Sequence, residues 1–182
     1  MKKIFLTSII FITFINYSLS NERKIQLDKL FERLQFSDAA LSYGIEQKIW
    51  ELWSTHPSDQ NLTLKLSEGS KLVREQQLMK AKKIFSDVIK LDPEWAEAWN
   101  KRATVLYLLG DYQASQNDID KVLILEKRHF GALAGQGLVN IKLENFEKAI
   151  ESYKKAQEIY PAMQSPKIMI DQIKELIKRE LI

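Results

Sequence analysis

A period of 34 residues constrains this chain more than any other feature. Shifted by that interval, the sequence aligns Gly69 with Ala103 and Gly137, Leu78 with Tyr112 and Phe146, and Ala81 with Ser115 and Ala149. Phe85, Ile119 and Tyr153 also fall in phase, as do Val88, Val122 and Ala156, then Leu91, Leu125 and Ile159. The copies close at Pro93, Lys127 and Pro161. Ungapped recurrence of this kind means one supersecondary unit stacked on itself, because so short a unit cannot bury its apolar face alone.

Inside each copy the apolar residues recur at three and four, the helical period. In "WNKRATVLYLLGDY" (99–112), Trp99, Ala103, Leu106 and Tyr107 keep that spacing until Gly110-Asp111. Glycine suits a left-handed helix end, and Asp111 suits the N-cap of a second helix. Each copy therefore reads as a helical hairpin. Small residues at 69, 103 and 137 and at 81, 115 and 149 let two backbones approach. Phe85, Ile119 and Tyr153, with Leu91, Leu125 and Ile159, are expected to fill the space against the next unit. Pro93 and Pro161 mark junctions, since proline cannot continue a helix interior.

The pattern resembles the tetratricopeptide repeat, W-x2-L-G-x2-Y followed by A-x3-F and P. The middle copy carries Trp99, Ala103, Leu106, Ser115 and Ile119; the first Gly69, Ala81, Phe85 and Pro93; the third Gly137, Ala149, Tyr153 and Pro161. Three positions depart from it: Arg102 for the usual Leu, Lys127 for Pro, and Asn140 for an aromatic. The resemblance implies an all-α fold, a right-handed superhelical array of antiparallel helix pairs with repeats at 62–95, 96–129 and 130–163. Residues 21–61 place Leu27, Leu30, Phe31, Leu34, Leu41, Ile45, Ile49, Trp50 and Trp53 at helical spacing but out of phase, and are expected to form an N-terminal hairpin cap. Residues 164–182, with Ile170, Ile173, Leu176 and Ile177 on one side, are expected to form a C-terminal capping helix, since such arrays need a polar-backed end.

The first twenty residues, "MKKIFLTSIIFITFINYSLS", read as a signal peptide: Lys2 and Lys3, an apolar run from Ile4 to Ile15, then Ser18-Leu19-Ser20 before a mature start at Asn21. The expected location is a bacterial periplasm. An uncleaved anchor is the rival reading, against which the run is short of about 20 apolar residues. Without Lys2 and Lys3 the net charge falls from +3 to about +1. Neither a nucleic-acid partner nor, after cleavage, a membrane partner is expected. The absence of Cys removes disulfides, thiol catalysis and thiolate metal sites.

No constellation for chemistry stands out. His56 and His129 read as exposed loop histidines. Glu126 and His129 are three apart, but a carboxylate-bridged metal site needs two such pairs and further Glu. "GALAGQG" (131–137) follows no strand, so its glycines read as packing positions and not as a nucleotide loop. Catalytic residues, metal and cofactor are all expected to be none, and the chain is expected to be no enzyme. Arg102, inside an apolar stretch, must pair or reach solvent; Asp118 is a candidate partner, and Trp99 or Trp95 a candidate stack.

What remains is a surface. The resemblance implies a concave groove lined by the first helix of each pair. Its candidate partner-binding residues here are Arg74, Glu97, Asn100, Thr104, Tyr107, Leu138 and Lys142, where aromatic and cationic anchors favour a peptide. The dicarboxylate clamp of chaperone adaptors is not supported, because its positions hold Leu66, Ser70 and Lys101. The expected function is a non-enzymatic adaptor or scaffold for a protein or peptide partner. The alternatives are an accessory module of envelope assembly or cytochrome maturation, or a component of a cell-wall hydrolase. A monomer is expected, with a dimer through the C-terminal helix as the rival.

Overall fold

The computed structural model describes residues 21–180, so the signal-peptide expectation for 1–20 lies outside it. Among the described residues there are nine helices and no strand. They are α1 (21–36), α2 (Ala39–Ser54), α3 (Gln60–Arg74), α4 (Leu78–Leu91), α5 (Ala96–Leu108), α6 (Tyr112–Leu125), α7 (Phe130–Lys142), α8 (Phe146–Ile159) and α9 (Gln164–Glu180). The repeats are α3–α4, α5–α6 and α7–α8, each pair packed on the next, with α9 against α8.

Local chemistry sets the helix ends. The side chains of Asp38, Asp59 and Asp111 accept backbone N–H groups at the starts of α2, α3 and α6, satisfying donors a first turn leaves unpaired. Within each repeat the two helices meet in one turn. Gly110 has φ +81°, and Asp111 N–H donates to Leu106 O at 2.9 Å. The same turn recurs 34 residues to either side, where Gln76 and Glu144 both have φ +59°. Their followers donate equivalently, Gln77 to Leu72 O and Asn145 to Asn140 O, each at 2.8 Å. A side chain in this region is disfavoured by about 1–2 kcal/mol. Glu144→Gly is therefore expected to raise stability by about 1 kcal/mol, read as a higher urea midpoint at unchanged slope.

The small-residue columns have a direct cause. A Cβ on Gly69 would lie 2.5 Å from the Phe85 ring, and one on Gly137 2.5 Å from the Tyr153 ring. Where the opposing residue is the smaller Ile119, the column holds Ala103. Ser115 in the facing helix donates to Ala103 O at 2.8 Å. Phe85, Ile119 and Tyr153 are buried as expected, but Leu91 is 63% exposed and fills no space against the next unit. The Tyr153 hydroxyl is buried without a hydrogen-bond partner, and burial pushes its pKa up. Tyr153→Phe removes that unpaired group and should be neutral or stabilising by up to about 1 kcal/mol, checked by thermal melting.

Two departures from the repeat pattern sit in one polar row. Arg102 donates to both Asp118 carboxylate oxygens, at 2.7 and 2.8 Å, and to Ser86 Oγ at 3.1 Å. Its guanidinium also lies 5.0 Å from the Trp99 ring centroid. One repeat later Gln136 occupies the Arg102 position, accepting from Ser152 Oγ at 3.0 Å and donating to Asp120 at 3.4 Å. Asn140 Nδ2 joins the row by donating to Gln116 Oε1 and to Gln136 O.

The N-terminal hairpin forms, but it is not a cap stacked on the first repeat. It lies along the edge where one repeat passes into the next. Arg23 reaches Thr55 O, and Trp95 Nε1 donates to Trp53 O at 2.8 Å. Arg128 pairs with Asp28 at 2.7 Å and sits over the Phe31 ring. Tyr160 OH reaches Ser42 Oγ and Glu46 Oε2. Leu27, Phe31, Leu34, Ile45, Ile49 and Trp53 share one core with Phe130 and Tyr160. Out of phase with the 34-residue register, the hairpin cannot continue the stack, and its Phe31 and Trp53 are buried on the junctions instead.

Candidate partner-binding groove

Asn100, Thr104 and Tyr107 of α5 and Leu138 of α7 converge on one cleft of about 80 Å³. Ala103, Ile119, Val139, Gly131 and Gly135 complete much of its lining. A Cβ on Gly135 would meet only Ile119 Cδ1, at 3.7 Å, so glycine there keeps the cleft open. Tyr107 is half-buried, its ring centroid 5.5 Å from that of Tyr112. Leu108 and Leu138 are 50% and 38% exposed, an apolar rim. Arg74 and Lys142 are exposed near the C-terminal ends of α3 and α7, at the repeat position that Leu108 occupies in α5. Neither has an acidic partner among the described residues.

Two candidates have little exposed surface, although Asn100 still borders the cleft. Glu97 is 1% exposed and Asn100 9%. Glu97 Oε2 accepts from His129 Nε2 at 3.1 Å and from Asn100 Nδ2 at 3.0 Å, while Oε1 faces Lys101 Nζ at 3.0 Å. Burial would push the Glu97 carboxyl up, but the bond from His129 and the Lys101 charge outweigh it and hold it below the ordinary value. A depressed carboxylate stabilises the fold fully above its unfolded pKa and loses that contribution as pH falls through the folded one. Glu97 should therefore leave stability flat from neutrality to the ordinary glutamate range and diminish it only at more acid pH. A Glu97→Gln variant should show a shallower acid limb in urea titrations.

The histidines also differ from the sequence expectation. His129 is fully buried, stacked 3.9 Å from Trp53 at 7°. Its Nδ1 accepts Ala132 N–H at 3.0 Å, which leaves Nε2 to donate to Glu97. His56 repeats the design: Nδ1 accepts Asp59 N–H at 2.9 Å and Nε2 donates to Asp92 at 2.8 Å. The sequence reads both as exposed loop residues; instead Trp50 and Trp53 of the hairpin cover His129, and Trp95 and Asp92 cover His56. A Cβ on Gly131 would lie 2.5 Å from Trp50, so glycine at this groove position seats the hairpin. Glu126 is bound by Arg128 at 3.0 Å and makes no pair with His129. Among the described residues no group of three His, Cys, Asp or Glu is placed to hold a metal, and no helix is long and apolar enough to cross a membrane.

The tetratricopeptide repeat pattern matches residues 66–116 and 103–163. The chain belongs to the tetratricopeptide repeat family. A TPR repeat-containing protein of Rhizobium etli is 30% identical over 157 residues, 86% of this chain and 76% of that protein. Among solved TPR structures, the first TPR of Spaghetti (RPAP3) bound to HSP90 peptide SRMEEVD aligns with a TM-score of 0.63 at 17% identity, over 65% of this chain and 94% of that one. The Yersinia enterocolitica type III secretion chaperone SycD, in complex with a peptide of the translocator YopD, aligns with a TM-score of 0.60 at 14% identity, over 64% and 95%. The repeat register of the family brings Thr104, Tyr107 and Leu138 to one cleft. It carries no signal for Trp50, Trp53, Gly131 or His129, whose roles come from a hairpin outside the repeats.

Proposed function

We propose that this protein is a non-enzymatic adaptor that holds a segment of a partner protein in the α5–α7 cleft and along the rim beside it. The convergence of Asn100, Thr104, Tyr107 and Leu138 on one open cleft carries the reading. Tyr107 offers an aromatic anchor, Leu108 and Leu138 an apolar rim, and Arg74 and Lys142 cations without counter-charges; such anchors dominate binding at protein interfaces. Peptide complexes named for the TPR neighbours support this use of the fold. The leader-like residues 1–20 support export, so the proposed setting is the periplasm.

The test is a photo-crosslinking residue placed at Leu138, with Met79 on α4 as an exposed control. One envelope protein should be captured from Leu138 and not from Met79. Tyr107→Ala with Arg74→Ala should weaken that partner's binding about tenfold or more, in protein that circular dichroism shows to be folded. Capture from both positions alike, or indifference to the double substitution, would remove the groove from consideration.

A further inference from the structure

Arg102 and Asn140 are absorbed by the polar row, which leaves one departure from the repeat pattern unexplained: Lys127, where a proline is usual. Lys127 lies on the wall of a cavity of about 720 Å³ between the start of α1 and the junctions on either side of the second repeat. That volume is in the range of small-ligand and peptide-end pockets. Leu27, Trp53, Trp95 and Ile124 give it apolar surface, and Ile124 is left largely exposed.

The polar groups on this wall are unbalanced. Asp92 is taken up by His56 and by the Glu94 N–H, Glu126 by Arg128, and Glu97 by His129 and Lys101. Arg23, Lys24 and Lys127 have no carboxylate partner among the described residues. Arg23, half-buried, has as its hydrogen-bond partner the Thr55 carbonyl, which leaves most of its donor fork unused. Burial without a counter-charge lowers its pKa. Glu94 is the carboxylate left free.

We propose that this cavity is a second binding site, separate from the groove, for an apolar peptide segment bearing a carboxylate. Arg23 and Lys127 take the carboxylate. Trp53 and Trp95 take the adjoining apolar side chain, and Glu94 accepts a peptide N–H. A peptide fits better than a simple fatty acid because the wall offers both kinds of polar partner. Lys127 is then a recognition residue, which explains why the junction gives up its proline.

The experiment titrates the full chain by calorimetry with three probes: acetyl-Ala-Ala-Leu with a free C-terminus, its C-terminal amide, and acetyl-Ala-Glu-Leu amide. One of the two carboxylate peptides should bind at least tenfold more tightly than the plain amide, and which one it is identifies a terminal or a side-chain carboxylate. Lys127→Gln should weaken that binding about tenfold. Lys127 is exposed and unpaired, so the melting temperature should hold. Tyr107→Ala, at a side chain that lines the α5–α7 cleft and not this cavity, should leave it unchanged in folded protein. Equal affinity for all three peptides, no binding by any, or loss through Tyr107→Ala but not through Lys127→Gln overturns the assignment. None of these outcomes bears on the partner held in the groove.

Discussion

Arg102→Ala is expected to lower stability by about 3 kcal/mol, because it leaves a buried carboxylate without its cation. Asp118 is 4% exposed, and Arg102 supplies both of its side-chain donors. The same substitution frees Ser86 Oγ and removes the stack on Trp99. The informative comparison is the double variant Arg102→Leu with Asp118→Leu. Replacing both members of a buried pair by apolar groups is often neutral or stabilising, so the double variant should recover most of the loss in a urea titration. Because the pair lies between helices and not in the α5–α7 cleft, partner capture should survive in the folded double variant. Unchanged stability with lost capture would make Arg102 a binding residue.

Trp53→Ala is expected to cost about 3–5 kcal/mol, as for other buried large aromatics. The side chain stacks on His129, meets Phe31, Trp50 and Phe130 within 6 Å between ring centroids, and its own carbonyl takes the Trp95 indole proton. The loss should appear as exposure of the α1–α2 hairpin and the junctions in hydrogen exchange, with the amides of α8 and α9 protected longest. Gly131→Leu approaches the same surface from the other side, crowding Trp50 and leaving Trp53 intact. It should destabilise by about 1–3 kcal/mol, as overpacking does, with the same pattern of exposed amides. If the exchange rates of the hairpin do not change in either variant, the docking described for it is wrong.

The repeats were legible because their cause is local and recurrent. Gly69 and Gly137 face Phe85 and Tyr153, and the coincidence of glycine with aromatic is written in the 34-residue register. Gly110 announced its turn. Gln76 and Glu144 did not, since nothing about glutamine or glutamate suggests a left-handed conformation; only their phase with Gly110 could have revealed it. The cleft was half legible. Asn100, Thr104, Tyr107 and Leu138 line it, whereas Glu97 occupies a groove position that His129 closes off. That failure has one origin. Helical spacing shows that α1 and α2 have an apolar face but says nothing of where it docks, and six aromatic or imidazole rings from distant parts of the chain meet there. The clue available was Gly131, a glycine in a helix where the repeat itself demands none.

The bond between Tyr160 and Ser42 joins positions 118 residues apart, and this alters how the chain should come apart. A linear stack of repeats behaves as a row of neighbours, each leaning on the next, and frays from whichever end is weaker. Here α2 grips the residue that follows α8, so unravelling of the hairpin is resisted by the third repeat and the reverse. The molecule should melt as a single event instead of in steps. It should also refold more slowly than an open stack of the same size, because that grip closes only after the longest segment of chain has been brought round.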